Sequence, residues 1–335
     1  MDLRETRMRT WLAHVLNDQT LHITAASSDA SFRRYFRVTS NQKSFIVMDA
    51  PPELEDSKPF INVCNILQQA GVSVPEILHA DLDNGFLVLS DFGQQHFLGA
   101  FGPDNTQRLY ADALDALLAI QRYGDSAGLP PYDETLLMFE MSLFGDWFLG
   151  RHLGAGLSAA AIQVLEQTCR FLCRSALEQP QVFVHRDYHS RNLMVLPRGN
   201  PGIIDFQDAV RGPITYDLVS LLRDVYVKWP EEHVAAWLED YYGRLKHYGL
   251  IQANRADFCR WFDLMGVQRH LKVAGIFCRL YYRDGKAGYL PDIPLTLDYL
   301  MTVCGRFEEL SALHALLLDL DVATVLAEKN AELSL

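Results

Sequence analysis

Several signatures that would decide a function at sight are missing from this chain. Its six cysteines are scattered, with no CxxC pair, and only Cys169 and Cys173 come close, at helical i,i+4 spacing. Structural zinc and a disulfide framework are therefore not expected, and buried free thiols in a reducing compartment are. No run approaches the roughly eighteen apolar residues needed for a membrane-spanning helix, so no membrane partner is expected. Positive charge is scarce: 30 Lys and Arg against 42 Asp and Glu leave a net charge of -12. A nucleic-acid partner favours the reverse balance. The opening segment MDLRETRMRTWLAHVLND carries charges throughout and lacks the apolar core of a signal peptide, so a cytoplasmic location is expected. There is neither a G-x-S-x-G nucleophile elbow nor a P-loop, which removes the simplest hydrolase and NTPase readings.

What remains is a chain of 335 residues, 49% apolar and 21% charged, large enough for two domains. Residues 4–17 are expected as an amphipathic helix, followed by strands near 21–24, 34–39 and 44–48. A helix over 59–70 ends at Gly71, and a hairpin over 74–89 turns at Asp83-Asn84-Gly85. After Ser90-Asp91-Phe92-Gly93 the periodicity becomes helical, over 104–122, 134–152 and 158–178. From Tyr216 onward helices are expected at 215–227, 231–247, 254–283 and 292–309, then a final pair. The pattern is α+β, with a β-rich domain over 1–91 and a helical domain over 92–335.

One stretch, 184–207, carries the chemistry: VHRDYHSRNLMVLPRGNPGIIDFQ. Two short apolar runs enclose a polar loop, His185-Arg186-Asp187-Tyr188-His189-Ser190-Arg191-Asn192, which fits H-x-D-x-x-x-x-N. Asp187 is the candidate base. Asn192 and Asp205 are the candidate oxygen ligands for Mg²⁺, and His185 is expected to brace the loop. One carboxylate base with an amide and a second carboxylate for metal is the minimal outfit for phosphoryl transfer from ATP.

These residues resemble the aminoglycoside phosphotransferase and choline kinase group, whose fold is protein-kinase-like: a small antiparallel β-rich N-lobe and a larger helical C-lobe. The run GPITYDLVSLL (212–222) strengthens the resemblance, which assigns Asp217 to holding the catalytic loop; an Asp at a helix start is also an ordinary cap. The implied cofactors are ATP and Mg²⁺. Nucleotide contacts are expected from Ser28, Ala30, Ser31, Arg33 and Arg34, and from the backbone of Ser90-Asp91-Phe92. The chain departs from the group in having SSDASFRRYFR in place of a glycine-rich loop. The third strand, SFIVMD, offers Met48 or Asp49 where a Lys is usual, so Arg33, Arg34 or Arg37 is considered for the missing charge. Asp91-Phe92-Gly93 spells a kinase metal motif too early in the chain to be one.

Within the group, SDASFRRYFRV, FIVMDAPPE and QRHLKVAGIFCRLYYRDGK resemble the bacterial cell-wall sugar kinases that phosphorylate the anomeric hydroxyl of N-acetylmuramate and N-acetylglucosamine. That resemblance implies a sugar 1-phosphate product feeding peptidoglycan recycling, a small-molecule amino sugar substrate and no obligate protein partner. Acceptor contacts are considered at Tyr188, His189 and Arg191 in the loop. A muramate carboxylate needs a cation, for which Arg223, Arg269 and Lys272 are candidates. The alternatives are an aminoglycoside or amino alcohol acceptor, or a nucleotide-binding regulator that has lost catalysis.

Overall fold

A computed structural model describes residues 3–28 and 32–333, the side chains of Ser27 and Ser28 excepted. Two compact units result, and neither is continuous along the chain. The first comprises Met1–Ala113 with Arg191–Asp208, and the second Leu114–Ser190 with Ala209–Leu335. The join expected near residue 91 lies inside the first unit.

The first unit begins with helix α1 (Leu3–Val15) and strands β1 (His22–Ser28), β2 (Arg34–Ser40) and β3 (Lys43–Asp49). Helix α2 (Lys58–Gln69) and strands β4 (Ile77–Asp81) and β5 (Phe86–Ser90) follow. The five strands form one antiparallel sheet in the order β1-β2-β3-β5-β4. Residues 86–89 of β5 are all buried, as expected of an inner strand covered on both faces. Met8 and Leu12 of α1 pack with Val38, Val47, Phe86 and Val88, so the helix closes one face of the sheet. The short helix α3 (Phe97–Ala100) and the start of α4 (Thr106–Tyr123) complete the N-terminal part.

The second unit is helical: the rest of α4, α5 (Glu134–Leu143), α6 (Ala159–Leu177) and, later, α7 (Tyr216–Leu222), α8 (Glu231–His247), α9 (Arg255–Asp284) and α10 (Ile293–Cys304). Two further helices, α11 (Ser311–Asp319) and α12 (Val322–Glu332), end the described chain. Asp133, Ser158 and Asn254 cap α5, α6 and α9 by accepting the N–H groups of Leu136, Ala161 and Asp257. Gly285 ends α9 at φ 70°, a conformation glycine adopts without penalty. The helix expected over 134–152 divides, with Phe144–His152 continuing as π-helix. At Gly275, α9 comes so close to α5 that an added Cβ would lie 2.3 Å from the backbone carbon of Leu143. Among the described residues no single helix is long and apolar enough to cross a membrane.

Candidate active site

Strand β6 (Gln181–Val184) pairs antiparallel with β9 (Val210–Pro213) and delivers the chain into the polar loop. Asp217, in the first turn of α7 and fully buried, receives the loop's first two backbone N–H groups. His185 N donates to its Oδ2 at 2.7 Å and Arg186 N to its Oδ1 at 3.0 Å. Arg186 sits at φ 77°, a costly conformation for a branchless but bulky L-residue, so the bond to Asp217 holds the chain where local preference would not. Nδ1 of buried His185 accepts the N–H of Asp187 at 3.2 Å, which puts the ring proton on Nε2 and makes His185 a brace. The loop's other end is tied by Asp224, whose Oδ2 accepts both N and Oγ of Ser190, at 2.9 and 2.5 Å.

Helix α7 is shorter than the expected 215–227: it stops at Leu222. Arg223 leaves helical geometry at φ -119°, ψ 51°, and Asp224 uses its side chain on Ser190 and on the N–H of Tyr226.

Burial works against a charge on Asp187, but the nearby Lys272, His189, Arg186 and Arg269 outweigh it and hold the carboxyl below its ordinary range. Asp187 is thus an ionised acceptor at neutral pH. Beside it lies a buried polar cluster. Glu140 pairs with Arg186 and, at 3.0 Å, with Lys272 Nζ, which also donates to Tyr216 Oη at 3.0 Å. Tyr132 donates to the other Glu140 oxygen. Burial again opposes the Glu140 charge, and Lys272 and Arg186 prevail, lowering its pKa. Asp217 is different: burial pushes it up to about 7 despite the two N–H donors.

The substrate candidates part company. Tyr188 is fully buried, edge-on to His185, and faces protein on all sides. His189 is largely buried, edge-on to Tyr226 at 5.1 Å. Arg223 Nη2 binds Asp263 at 2.6 Å, and Lys272 is held as described. Arg269 is 2% exposed, with Nε and Nη1 making no hydrogen bond among the described residues. His270 stacks on Tyr299, and the amide of Gln268 is wholly buried and unbonded. Arg191 falls in the first unit, where its charge helps burial lower the pKa of His96.

The metal candidates also lie in the first unit. Strands β7 (Leu193–Met194) and β8 (Gly202–Ile203) pair, and Ile204 N donates to Asn192 O at 3.1 Å, setting the two candidates side by side. Asn192 Nδ2 donates to Asp205 Oδ2 at 3.2 Å, and Gln207 Nε2 to Asp205 Oδ1 at 2.9 Å. Asp205 sits at φ 63°, and Phe206 after it is buried on Phe60, so the turn aims the carboxylate while the ring anchors it. An amide oxygen beside a carboxylate is the hard-oxygen set Mg²⁺ takes, with its remaining ligands supplied by phosphates and water. These residues fit the ion.

The arginines near the expected nucleotide site are all paired: Arg33 with Glu55, Arg34 with Asp49 and Arg37 with Asp91. Asp49, opposite Arg34 in register on β3, is fully buried and also binds Arg4. Asp91 accepts from Ser44 Oγ and Gly93 N as well, so its side chain is spent on its own strand end. Ser90 exchanges hydrogen bonds with Glu76, and Phe92 lies against Gly202. Ala30 and Ser31 lie outside the described residues, as does the side chain of Ser28.

The model of the phosphotransferase enzyme family matches residues 22–252, which takes in both halves of this loop. The chain belongs to that family. It is 51% identical, over 88% of its length and 87% of the relative's, to an N-acetylmuramate/N-acetylglucosamine kinase of Pseudomonas aeruginosa. A kinase with the same description from Pseudomonas putida is 46% identical, over 95% of this chain and 97% of its own. Among solved structures, a choline/ethanolamine kinase family protein from Mesorhizobium loti superposes with a TM-score of 0.63 at 15% identity, covering 96% of this chain and all of that one. An ADP-bound aminoglycoside phosphotransferase gives 0.60 at 13%, covering 88% and 97%. At such identities the structures establish a shared protein-kinase-like fold. Family and relatives together make this phosphotransferase an ATP-dependent kinase.

Two residues of this phosphotransferase's site escaped sequence reading. Glu140 stands alone in the apolar run LLMFEMSLF, and a lone acid on an otherwise buried helix face is the signal that finds it. Asp224 carries no such mark, because its role depends on where α7 stops.

Proposed function

We propose that this phosphotransferase transfers the γ-phosphoryl group of ATP to the anomeric hydroxyl of N-acetylmuramate and N-acetylglucosamine, giving sugar 1-phosphates for peptidoglycan recycling in the cytoplasm. The observation that carries the reading is Asp187: an ionised carboxylate on a loop pinned by Asp217 at one end and Asp224 at the other. The acceptor assignment draws on the names of relatives that this chain matches along most of their length.

In this reading Asp187 accepts the proton of the anomeric hydroxyl as its oxygen attacks phosphorus. That hydroxyl is more acidic than an ordinary alcohol because the ring oxygen withdraws charge, so one carboxylate base suffices. His185 and Asp217 hold the base in place, which is how positioning lowers a barrier. Asn192 and Asp205 would hold Mg²⁺, which when bound would supply neutralisation of phosphate charge. The nucleotide is assigned to the strand ends around Arg33, Arg34 and Ser90-Asp91-Phe92, with Ser28, Ala30 and Ser31 as its loop. The cations acting on Asp187 disfavour a polycationic aminoglycoside and favour a neutral or acidic sugar.

The test incubates the protein with Mg-ATP and a panel of free sugars, amino alcohols and aminoglycosides, and locates the new phosphate by ³¹P NMR. A 1-phosphate of both amino sugars is expected. Phosphate on another position, or only on a cationic acceptor, removes the assignment.

A further inference from the structure

We propose that Arg269 is the carboxylate-binding residue by which this kinase distinguishes an acidic amino sugar from its neutral counterpart. The inference rests on the acceptor reading above and names the subsite that reading lacks.

N-acetylmuramate and N-acetylglucosamine share the anomeric hydroxyl and the acetamido group; only the former carries a lactyl carboxylate. A buried carboxylate needs a cation with unused hydrogen-bond donors. The second unit offers four basic side chains around the loop, and the structure separates them. Arg186 is paired with Glu140, Lys272 with Glu140 and Tyr216, and Arg223 with Asp263; Nε and Nη1 of Arg223 are also without acceptors, so what separates the four is the counter-ion. Arg269 forms no ion pair among the described residues, although it is 98% removed from solvent. Its buried Nε and Nη1 have no hydrogen-bond acceptor.

Its place is also right. Arg269 lies three residues before Lys272 on α9, hence on a neighbouring part of the same helix face. Its charge acts on both Asp187 and Asp217, so it sits within the field of the base without being bonded to it. An orphaned, buried guanidinium costs free energy, and a ligand carboxylate supplies the missing acceptors. A counter-charge to Asp187 alone would leave those donors unused.

The readout is a ratio, so a general loss of rate does not obscure it. Steady-state kcat/KM is measured for N-acetylmuramate and N-acetylglucosamine with the unaltered enzyme, Arg269→Gln and Arg269→Lys. The ratio of the acidic to the neutral sugar should fall roughly 10- to 100-fold in Arg269→Gln, mainly through KM, the worth of a charged hydrogen-bonded pair. Arg269→Lys should recover part of it. A ratio unchanged in Arg269→Gln, with both sugars slowed alike in kcat, makes Arg269 a counter-charge for Asp187 and overturns the proposal. Should Arg269→Gln fail to fold, the unaltered enzyme decides with the carboxamide of N-acetylmuramate: kcat/KM should drop by a similar factor relative to the acid. Equal values for acid and amide overturn the proposal. If the unaltered enzyme phosphorylates neither sugar, the acceptor reading falls, and this inference with it; a changed ratio is impossible in that case, so the two failures are distinct.

Discussion

Arg186 turns through the left-handed region at φ 77°, and there its backbone N–H meets Oδ1 of Asp217 at 3.0 Å. A residue 31 positions downstream thus stabilises a backbone conformation that the loop's own residues disfavour. The same carboxylate takes the N–H of His185, and His185 in turn takes that of Asp187. Position passes from a buried helix start to Asp187 through hydrogen bonds of 2.7, 3.0 and 3.2 Å.

That chain predicts the effect of Asp217→Asn. An amide offers an oxygen to one N–H and an NH₂ to the other, so one buried donor loses its acceptor, at about 1–3 kcal/mol. Urea unfolding should show the loss, and kcat should fall at least tenfold with KM for ATP little changed. Wild-type kcat in a folded Asp217→Asn protein would separate Asp217 from the loop.

Asp187→Asn keeps the shape of the base and removes its basicity. The expected fall in kcat is roughly 10²–10⁴-fold, the contribution of a positioned base. Turnover near normal, followed by coupled ADP release, would take Asp187 out of its role.

Asp205→Asn tests the metal assignment. Replacing the carboxylate with an amide weakens a hard-oxygen ligand, so the Mg²⁺ concentration giving half-maximal rate should rise at least tenfold, measured at fixed ATP. The site assignment does not survive an unchanged Mg²⁺ requirement.

Glu140 governs an acid-side effect on stability. Its pKa is lower in the folded protein than its ordinary 4.5, so its contribution is present above that value and is lost as pH falls through the folded pKa. Glu140→Gln leaves Lys272 and Arg186 without their shared counter-charge and should cost about 3–5 kcal/mol at pH 7. The gap from wild type should narrow below pH 4.5, read by urea unfolding at several pH values. A gap independent of pH would mean that charge is not what Glu140 contributes.

Gly275→Ala probes the close approach of α9 to α5. The added methyl would stand 2.3 Å from Leu143 C and 2.5 Å from its O, both backbone atoms that cannot swing aside. A destabilisation of about 1–3 kcal/mol is expected, although alanine is the better helix former. Equal or higher thermal stability would show that the two helices can part without loss.

Much of the candidate site was legible in the residues themselves. Asp187, Asn192 and Asp205 stand out because the proposed base and two oxygen ligands follow one another at loop and hairpin spacing. Helix limits were also legible where a cap or a glycine marks them, as at Asn254 and Gly285. The early end of α7 was not, because no proline or glycine stops it; Asp224 does, by preferring Ser190 to the helix.

By itself, then, the sequence determined the reaction type: local chemistry needs particular side chains at short separations, and those are written in order along 185–205. What only the tertiary structure decided is which charges are spent. Arg223, Arg269 and Lys272 are equivalent on paper, since a basic residue on a helix carries no record of its partner. Folding brings Asp263 to Arg223 and Glu140 to Lys272, from elements distant in the chain, and leaves Arg269 with no ion pair among the described residues.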